Sequence, residues 1–221
     1  MGARLQQAER IAILEAVFDC PENIAETMNA AMLHKSFASS DPVLHQGDEC
    51  GQCHLVIEGR ACAHVLGVDG QYVQLASYEP GEIFGPYPQA DEQQADILAE
   101  GHLQLLMIPS NDLSGMAKKH AGIGSGLARI FAGQMDVLFG RMAARATLTA
   151  AGRVYAELLR RGDDDGRISP APVVAAIAVS VQTTRETASR AINALMRRGI
   201  LARADGHWEI VAPRQLEDMI A

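Results

Sequence analysis

Apolar residues recur at three- and four-residue spacing near residue 190 and predict an amphipathic helix. Thr183 and Thr184 precede the pattern, and threonine is among the residue types that favour helix N-caps. The apolar face consists of Ala188, Ala191, Ile192, Leu195 and Met196. The opposite face, close to the helix start, carries Arg185, Glu186, Ser189 and Arg190. We therefore predict a helix with one buried side and one polar side.

The flanking segments predict two further elements around this helix. Upstream, a second short apolar-faced helix spans about 173–181, and the start pattern Ser169-Pro170-Ala171-Pro172 opens it. Downstream, Gly199 ends the first helix. The short β-prone runs at 200–203 and 207–211 are joined by Ala204-Asp205-Gly206, which indicates a β-hairpin. Helix, turn, helix and hairpin together predict a winged helix-turn-helix.

The polar face of the predicted helix has the chemistry of base recognition. A recognition helix touches base edges in the major groove with residues near its N-terminus. Arginine forks onto guanine and glutamate accepts from the cytosine amino group, so Arg185, Glu186 and Arg190 suit that task. The alternative is an ordinary surface helix with solvated charges. The predicted winged helix-turn-helix around it favours DNA binding.

Residues 148–211 resemble the DNA-binding domain of the CRP/FNR superfamily of bacterial transcription regulators. The resemblance lies in Gly152-Arg153 within 148–154, in the run Thr183-Thr184-Arg185-Glu186-Thr187, and in Arg190. It implies that Arg185, Glu186 and Arg190, or Glu186, Ser189 and Arg190, read a palindrome with TGTGA- or TTGA-like halves. Thr183, Thr184 and Ser189 would position phosphates or support these contacts. RNA polymerase is the further partner that the family implies.

The first half of the chain predicts two helices, at about 3–18 and 21–33, followed by a β-rich region. Short apolar runs there alternate with glycine turns, including one at Val68-Asp69-Gly70, which is typical of an antiparallel β-roll or barrel. Residues 20–109 resemble the sensor domain of the same superfamily in the pieces His45-Gln46-Gly47-Asp48, Leu55-Val56-Ile57-Glu58-Gly59 and Pro80-Gly81-Glu82-Ile83-Phe84-Gly85. The predicted fold is α+β, with a sensor β-roll in 1–109, a dimerisation helix region in 110–146 and a winged helix-turn-helix in 147–221.

Residues 123–142 carry an apolar stripe that is wider than one core-facing seam requires. In the family this long helix forms the dimer interface, and a two-fold protein can read two half-sites one helical turn apart. The predicted interface residues are Leu127, Ile130, Phe131, Met135, Leu138 and Met142. The alternative is a helix buried within its own domain. Gly122, Gly124 and Gly126 weaken helix propensity, and we expect irregular first turns.

The sensor domain departs from its nucleotide-binding relatives. Those relatives hold the ribose with Gly-Glu and the phosphate with Arg-Ser, whereas here Gly85 precedes Pro86, and 91–96 reads Asp-Glu-Gln-Gln-Ala-Asp. No Lys or Arg occurs between Arg60 and Lys118. Cyclic nucleotide is therefore disfavoured and the effector stays unknown. A pocket for another effector would involve Phe84, Gly85, Pro86, Gln93, Gln94, Leu138 and Phe139.

The cysteines leave several alternatives open. Cys50-Gly51-Gln52-Cys53-His54 matches the C-x-x-C-H pattern of haem attachment, although covalent haem normally requires export. A thiol switch or a metal site using Cys50, Cys53 and Cys62 is an alternative, as is a non-covalent gas-sensing haem. Strand parity places Cys53 inward and Cys62 outward, which separates candidate ligands. Ordinary reduced cysteines with surface histidines are the favoured interpretation. No close H-x-H pair supports a metal-dependent cupin-type enzyme, and we predict no metal site.

The net charge of −8 becomes informative when the chain is divided. Residues 1–144 hold 8 Lys+Arg against 18 Asp+Glu, a net of −10, whereas 145–221 hold 11 against 9, a net of +2. The basic residues thus concentrate beside the predicted helix-turn-helix, as a DNA-binding domain requires. No apolar run approaches the roughly 20 residues of a membrane span, and no signal peptide is recognisable at the N-terminus. We expect a cytoplasmic homodimer without a membrane partner.

Overall fold

The computed structural model describes residues 6–67 and 72–220, and the chain forms two compact units. The N-terminal unit contains the described residues up to Val65 together with Leu75–Val137. The C-terminal unit contains the described residues of Leu66–Gln74 and those from Leu138 onward. The predicted turn at Val68-Asp69-Gly70 and the first three residues of the predicted first helix lie outside the described residues.

The N-terminal unit is a β-roll flanked by helices, as predicted. The elements that lie wholly or partly in it are α1 (Gln7–Phe18), α2 (Glu22–Ala31), β1 (Leu33–Phe37), β2 (Pro42–Leu44), β3 (Glu49–Cys50), β4 (Gln52–Leu66), β5 (Tyr72–Tyr78), β6 (Ile83–Phe84), β7 (Asp91–Glu92), β8 (Asp96–Pro109), α3 (Ser110–Lys119) and α4 (Ala121–Thr147). The last residue of β4, the start of β5 and the part of α4 from Leu138 onward belong to the C-terminal unit. The main sheet has the order β1-β8-β4-β5, with β2 on β8 and β6 on β4. A separate two-stranded sheet pairs β3 with β7.

The two faces of the main sheet serve two hydrophobic clusters. Because successive strand residues point to opposite faces, Val56 joins the roll interior while Leu55 packs with the helices. Cys53 is buried, and the side on which it points inward is the one that packs against the helices, together with Leu55. The register shifts between Val56 and Arg60. Cys62 then lies on the face opposite Ala61, away from the roll interior as predicted, but it is buried.

Helix α4 is regular from Ala121, so the prediction of irregular first turns is wrong. The reason is a close helix–helix approach that only glycine permits. A Cβ atom on Gly126 would lie 2.9 Å from the Phe18 Cα atom, and one on Gly122 would lie 3.1 Å from the Asp19 carbonyl oxygen. Burial of Phe18 against α4 therefore outweighs the weak helix propensity of glycine.

The C-terminal unit is the predicted winged helix-turn-helix with added elements. These elements are α5 (Ala150–Arg161), β9 (Arg167–Ile168), α6 (Val174–Ser180), α7 (Arg185–Arg197), β10 (Leu201–Ala204), β11 (His207–Ile210) and α8 (Pro213–Asp218). The hairpin turns at Asp205-Gly206, as predicted, and β9 joins its far edge to give the order β10-β11-β9. One core gathers α5, both helices of the motif, the sheet and α8.

The Gly126 contact predicts opposite effects for two glycine substitutions in one helix. Gly126→Ala should reduce the free energy of unfolding by about 1–3 kcal/mol, because the added methyl group meets the Phe18 backbone. Gly133→Ala is the matched control, since nothing lies within 4 Å of its added Cβ, and it should increase stability by up to about 1 kcal/mol. Urea unfolding followed by circular dichroism measures both changes. Effects of equal sign and size would contradict the close approach.

Candidate DNA interface and sensor site

Helix α7 presents its N-terminal end to solvent while its other face is buried. Thr184 is the N-cap, and its side chain accepts from the Thr187 amide at 3.2 Å. The buried face consists of Ala188, Ala191, Ile192 and Leu195, all of which were predicted to be apolar-facing. Burial of four apolar side chains fixes the rotation of the helix about its axis. The polar residues of its first two turns must therefore face outward.

The structure leaves most of the predicted DNA-binding side chains accessible. Thr184, Arg185, Glu186 and Arg190 are exposed, whereas Thr183 and Ser189 are half-buried. Neither Arg185 nor Glu186 forms an ion pair or a side-chain hydrogen bond with another described residue. The Thr183 amide donates to the Ala178 carbonyl, so Thr183 belongs to the turn between the two helices. The accessible groups at the helix start are thus two arginines, one carboxylate and the capping threonine.

Arg153 on α5 holds the turn of the motif. Its guanidinium donates to the carbonyls of Val181 at 3.0 Å and Gln182 at 3.3 Å, and also to that of Leu148 at 3.2 Å. Gln182 adopts a positive φ of 52°, which few residues other than glycine adopt. Val181 and Gln182 directly follow α6, and the guanidinium supplies hydrogen-bond donors for the carbonyls of this turn. The angle between α6 and α7 therefore depends on a residue outside both helices.

Glu157 provides a second tie between α5 and α6. It is buried, accepts from Arg160 at 3.0 Å and Arg161 at 2.7 Å, and accepts from the Ser180 hydroxyl at 3.3 Å. Burial alone would raise the pKa of Glu157, but the hydrogen bonds and charges of the two arginines outweigh it and lower the pKa to about 2. The carboxylate is therefore ionised at neutral pH.

In the N-terminal unit, the segment after β6 is fixed by close backbone contacts. Gly85 has a φ of +102°, and a Cβ there would lie 2.4 Å from the Gln52 carbonyl oxygen. The Pro86 carbonyl accepts from the Ser110 hydroxyl at 2.7 Å and from the Cys53 thiol at 3.1 Å. Close backbone contacts thus require a glycine at position 85, the glycine of the family motif, whether or not a ligand binds.

Phe84 lies in the roll interior beside a histidine. The Phe84 ring stacks on that of His54 with centroids 4.8 Å apart, and the centroid of the Tyr78 ring lies 5.1 Å from that of Phe84. His54 is 1% exposed, which corrects the interpretation of the histidines as surface residues. Burial lowers the pKa of His54 to about 4, so the ring is neutral at physiological pH.

The remaining predicted pocket residues have local roles. The backbone of Gln93 pairs with Gly47 and Asp48, and the Gln94 side chain donates to the Glu92 carbonyl. In the β3–β7 pair, Glu49 lies directly opposite Glu92, an arrangement of like charges that would repel an anion. Leu138 and Phe139 lie on α4 in the C-terminal unit and are exposed.

The three candidate cysteines do not converge. All are buried free thiols. Cys50 donates to the Gln52 carbonyl, Cys53 to that of Pro86, and Cys62 to the Glu100 carboxylate at 3.4 Å. Burial raises the pKa of the Cys53 thiol, which disfavours the reactive thiolate. Within 6–67 and 72–220, no three His, Cys, Asp or Glu side chains are grouped so that they could hold a metal ion.

The predicted dimer residues on α4 fall into two groups. Leu127 is buried, and Ile130 and Phe131 pack against the same core of the N-terminal unit. The centroid of the Phe131 ring also lies 5.8 Å from that of the Tyr87 ring. Leu127 was predicted to lie at an interface; it contacts its own unit instead, because α1 packs on this half of the helix. Further along, the exposed apolar side chains are Met135, Val137, Leu138, Phe139 and Met142.

Comparison with known proteins identifies the two parts of the chain. Residues 34–120 match the family described as Cyclic nucleotide-binding domain, and 152–219 match that described as Crp-like helix-turn-helix domain. The chain is 24% identical over 190 residues to the Cyclic AMP receptor protein of Thermus thermophilus, an alignment covering 83% of this chain and 86% of that protein. The chain belongs to the CRP/FNR superfamily of transcription regulators.

Solved structures share the CRP/FNR fold. FixK2 from Bradyrhizobium japonicum has a TM-score of 0.76 at 20% identity, over 86% of this chain and 98% of FixK2. A mutant of CooA from Carboxydothermus hydrogenoformans has a TM-score of 0.75 at 17% identity, over 95% of each chain. Because CRP/FNR relatives are transcription regulators, the alternative of a cupin-type enzyme is set aside. No helix among the described residues has the length and apolar character needed to cross a membrane.

Three residues of this CRP/FNR domain have structural roles that the sequence did not indicate. Gly152-Arg153 was matched to the family without a role, although Arg153 binds the turn. Glu157 gave no signal, since its carboxylate looks like any other helical surface charge. Thr187 was matched as part of the motif, but its contact with Arg190 at 3.3 Å requires side-chain geometry. An arginine and a glutamate four residues apart on an amphipathic helix are too common to indicate such roles.

Glu157 makes stability depend on pH in a defined window. Because its folded pKa of about 2 lies below the ordinary 4.5, its stabilisation is complete above pH 4.5 and is lost as the pH falls towards 2. Glu157→Gln should lower the free energy of unfolding by about 1–3 kcal/mol at neutral pH, and the difference from wild type should shrink through this window.

Chemical unfolding of wild type and Glu157→Gln along a pH series measures this difference. Glu217→Gln on α8 is the control, because Glu217 is exposed and should show little change at any pH. If the free energy of unfolding of Glu157→Gln stayed below that of wild type by a constant amount from neutral pH to about pH 2.5, ionisation of Glu157 would be excluded as the cause.

Proposed function

We propose that the protein is a homodimeric, sequence-specific DNA-binding regulator that recognises a palindrome with TGTGA- or TTGA-like halves. In this proposal Arg185, Glu186 and Arg190 read base edges, while Thr183, Thr184 and Ser189 position phosphates or support the contacts. In the same proposal, residues 1–109 sense an effector, residues 110–146 form the dimer interface and residues 147–221 bind DNA. The regulator acts on RNA polymerase in the cytoplasm, where bacterial DNA lies.

The observation that carries this proposal is the exposed N-terminal end of α7. Arg185 and Glu186 are presented there without ion-pair partners among the described residues, beside Arg190. A carboxylate at a phosphate-facing surface would repel DNA, so its place between two arginines favours contact with the cytosine amino group. The net charge of +2 in 145–221 is small, and the phosphate attraction must therefore come from a few local cations.

Dimerisation is supported by the second half of α4. Phe139 is 60% exposed and Met142 is 66% exposed, and with Met135 and Leu138 they form an apolar stripe on one helix. Helical faces of this kind pack against an identical helix in two-stranded assemblies. Two helix-turn-helix motifs in one dimer then reach two half-sites, which a palindrome provides.

The proposed effector is not a conventionally bound cyclic nucleotide. A phosphate requires a cation, and arginine is the residue that grips it with two hydrogen bonds. The sequence offers no Lys or Arg from 61 to 117, and Glu49 faces Glu92 near the place where a phosphate would arrive. A pocket in the N-terminal unit that includes Phe84, Gly85, Pro86, Gln93 and Gln94 would instead suit an uncharged effector.

Selection from random duplex DNA tests the proposed recognition. Wild type should enrich a palindrome with TGTGA- or TTGA-like halves, and added cyclic nucleotide should leave the enrichment unchanged. Glu186→Ala should relax the preference at one base pair of each half, a loss of about 1–3 kcal/mol of discrimination. Glu217→Ala, an exposed acid on α8, should keep the full preference. Full preference in Glu186→Ala would remove Glu186 from base reading.

A separate variant tests the dimer. Phe139→Glu places a charge on the proposed interface and should convert a dimer into a monomer in sedimentation experiments, because burying an unpaired carboxylate is costly. Leu33→Glu is the control, since Leu33 is similarly exposed on the edge strand β1. A wild-type monomer, or a Phe139→Glu protein that stays dimeric, would overturn the proposed interface.

A further inference from the structure

The hydroxyl of Thr187 links the helix cap to Arg190. Thr184 accepts from the Thr187 amide at 3.2 Å and donates from its own hydroxyl to the Thr187 hydroxyl oxygen at 3.0 Å. The same Thr187 oxygen accepts from an Nη atom of Arg190 at 3.3 Å. The side chains of the N-cap residue and of two residues of α7 are thus joined through one oxygen atom. That oxygen touches the base-reading candidate but is not itself among the predicted DNA contacts.

This contact directs the Arg190 side chain along the helix. Thr187 precedes Arg190 by three residues, so the two side chains share one face and the guanidinium is drawn back towards the N-terminus of α7. The exposed Arg185 has no described hydrogen-bond partner that would orient it in this way. An arginine without such a partner samples many rotamers, and part of this freedom must be lost when it binds a base.

We propose that Thr187 is a positioning residue for Arg190, which its hydroxyl holds in the direction of the helix start before DNA arrives. This deepens the proposed function and rests on it, because it assumes that Arg190 reads a base. An arginine that is oriented in advance loses less freedom on binding and contacts its base in one geometry. Thr187 therefore acts on the preference for one base pair, through Arg190.

Valine and serine separate this role from the other tasks of Thr187. Thr187→Val keeps the backbone amide that Thr184 caps and keeps the branched shape, and it replaces the hydroxyl by a methyl group, which also removes the acceptor of the Thr184 hydroxyl. Thr187→Ser keeps the hydroxyl. If the threonine merely contacts a phosphate, Thr187→Val lowers the affinity for all DNA sequences equally, since phosphate contacts carry no sequence information.

The experiment compares full-length proteins on two duplexes. One is the selected palindrome, and the other is changed in both halves at the base pair whose preference Arg190→Ala abolishes. Thr187→Val should reduce the ratio of the two affinities about two- to tenfold, the range expected for one hydrogen bond. Thr187→Ser should restore it. In the Arg190→Ala background, Thr187→Val should change the ratio no further, because the two residues act as one unit.

The outcomes distinguish the two proposals. If Arg190→Ala alters no base preference, Arg190 does not read DNA and the proposed function fails at that residue. If Arg190→Ala relaxes one base pair while Thr187→Val weakens both duplexes equally, base reading stands and the positioning role is overturned. Thermal unfolding checks that Thr187→Val is folded. If it is not, Thr187→Ala removes the same hydroxyl with a residue of higher helix propensity and is scored in the same way.

Discussion

Arg153 donates from its guanidinium to three carbonyl oxygens, two of which belong to the turn between α6 and α7. Without that group, the Val181 and Gln182 carbonyls would lose these hydrogen bonds, and a backbone carbonyl that is kept from water without a partner is costly. Gly152 beside it is equally constrained, since a Cβ there would lie 2.9 Å from the Ile220 carbonyl oxygen. The direction in which α7 presents Arg185, Glu186 and Arg190 therefore depends on the hydrogen bonds that Arg153 of α5 donates to the turn.

The N-terminal unit is likewise held by close backbone approaches. Gly126 admits the backbone of Phe18, and Gly85 admits the carbonyl of Gln52. The Pro86 carbonyl accepts from both the Ser110 hydroxyl and the Cys53 thiol. The segment after β6 is thus held by neutral groups, a thiol and a hydroxyl.

Much of the fold could be predicted from local patterns. The apolar spacing behind Thr184 predicted α7 and its buried face, and Asp205-Gly206 predicted the hairpin. The elements that were missed or misjudged depend on distant partners. Helix α4 was expected to be irregular at its glycines, and the histidines were expected at the surface, yet Phe18 covers Gly126 and the roll encloses His54. Neither partner is visible within a short window of sequence.

The sequence by itself determined the order of elements, the family resemblance and the charge division, because these follow from residue types and their spacing along the chain. It also determined that the β-roll has no Lys or Arg between Arg60 and Lys118 that could bind a phosphate. Only the tertiary structure decided which of the polar residues act together. Arg153 forms hydrogen bonds with Val181 and Gln182, which lie 28 and 29 residues further along the chain. The ionised Glu157 accepts a hydrogen bond from Ser180, which lies 23 residues further along. Hydrogen bonds depend on distance and angle in space, and spacing along the chain does not specify either when the partners lie on different elements.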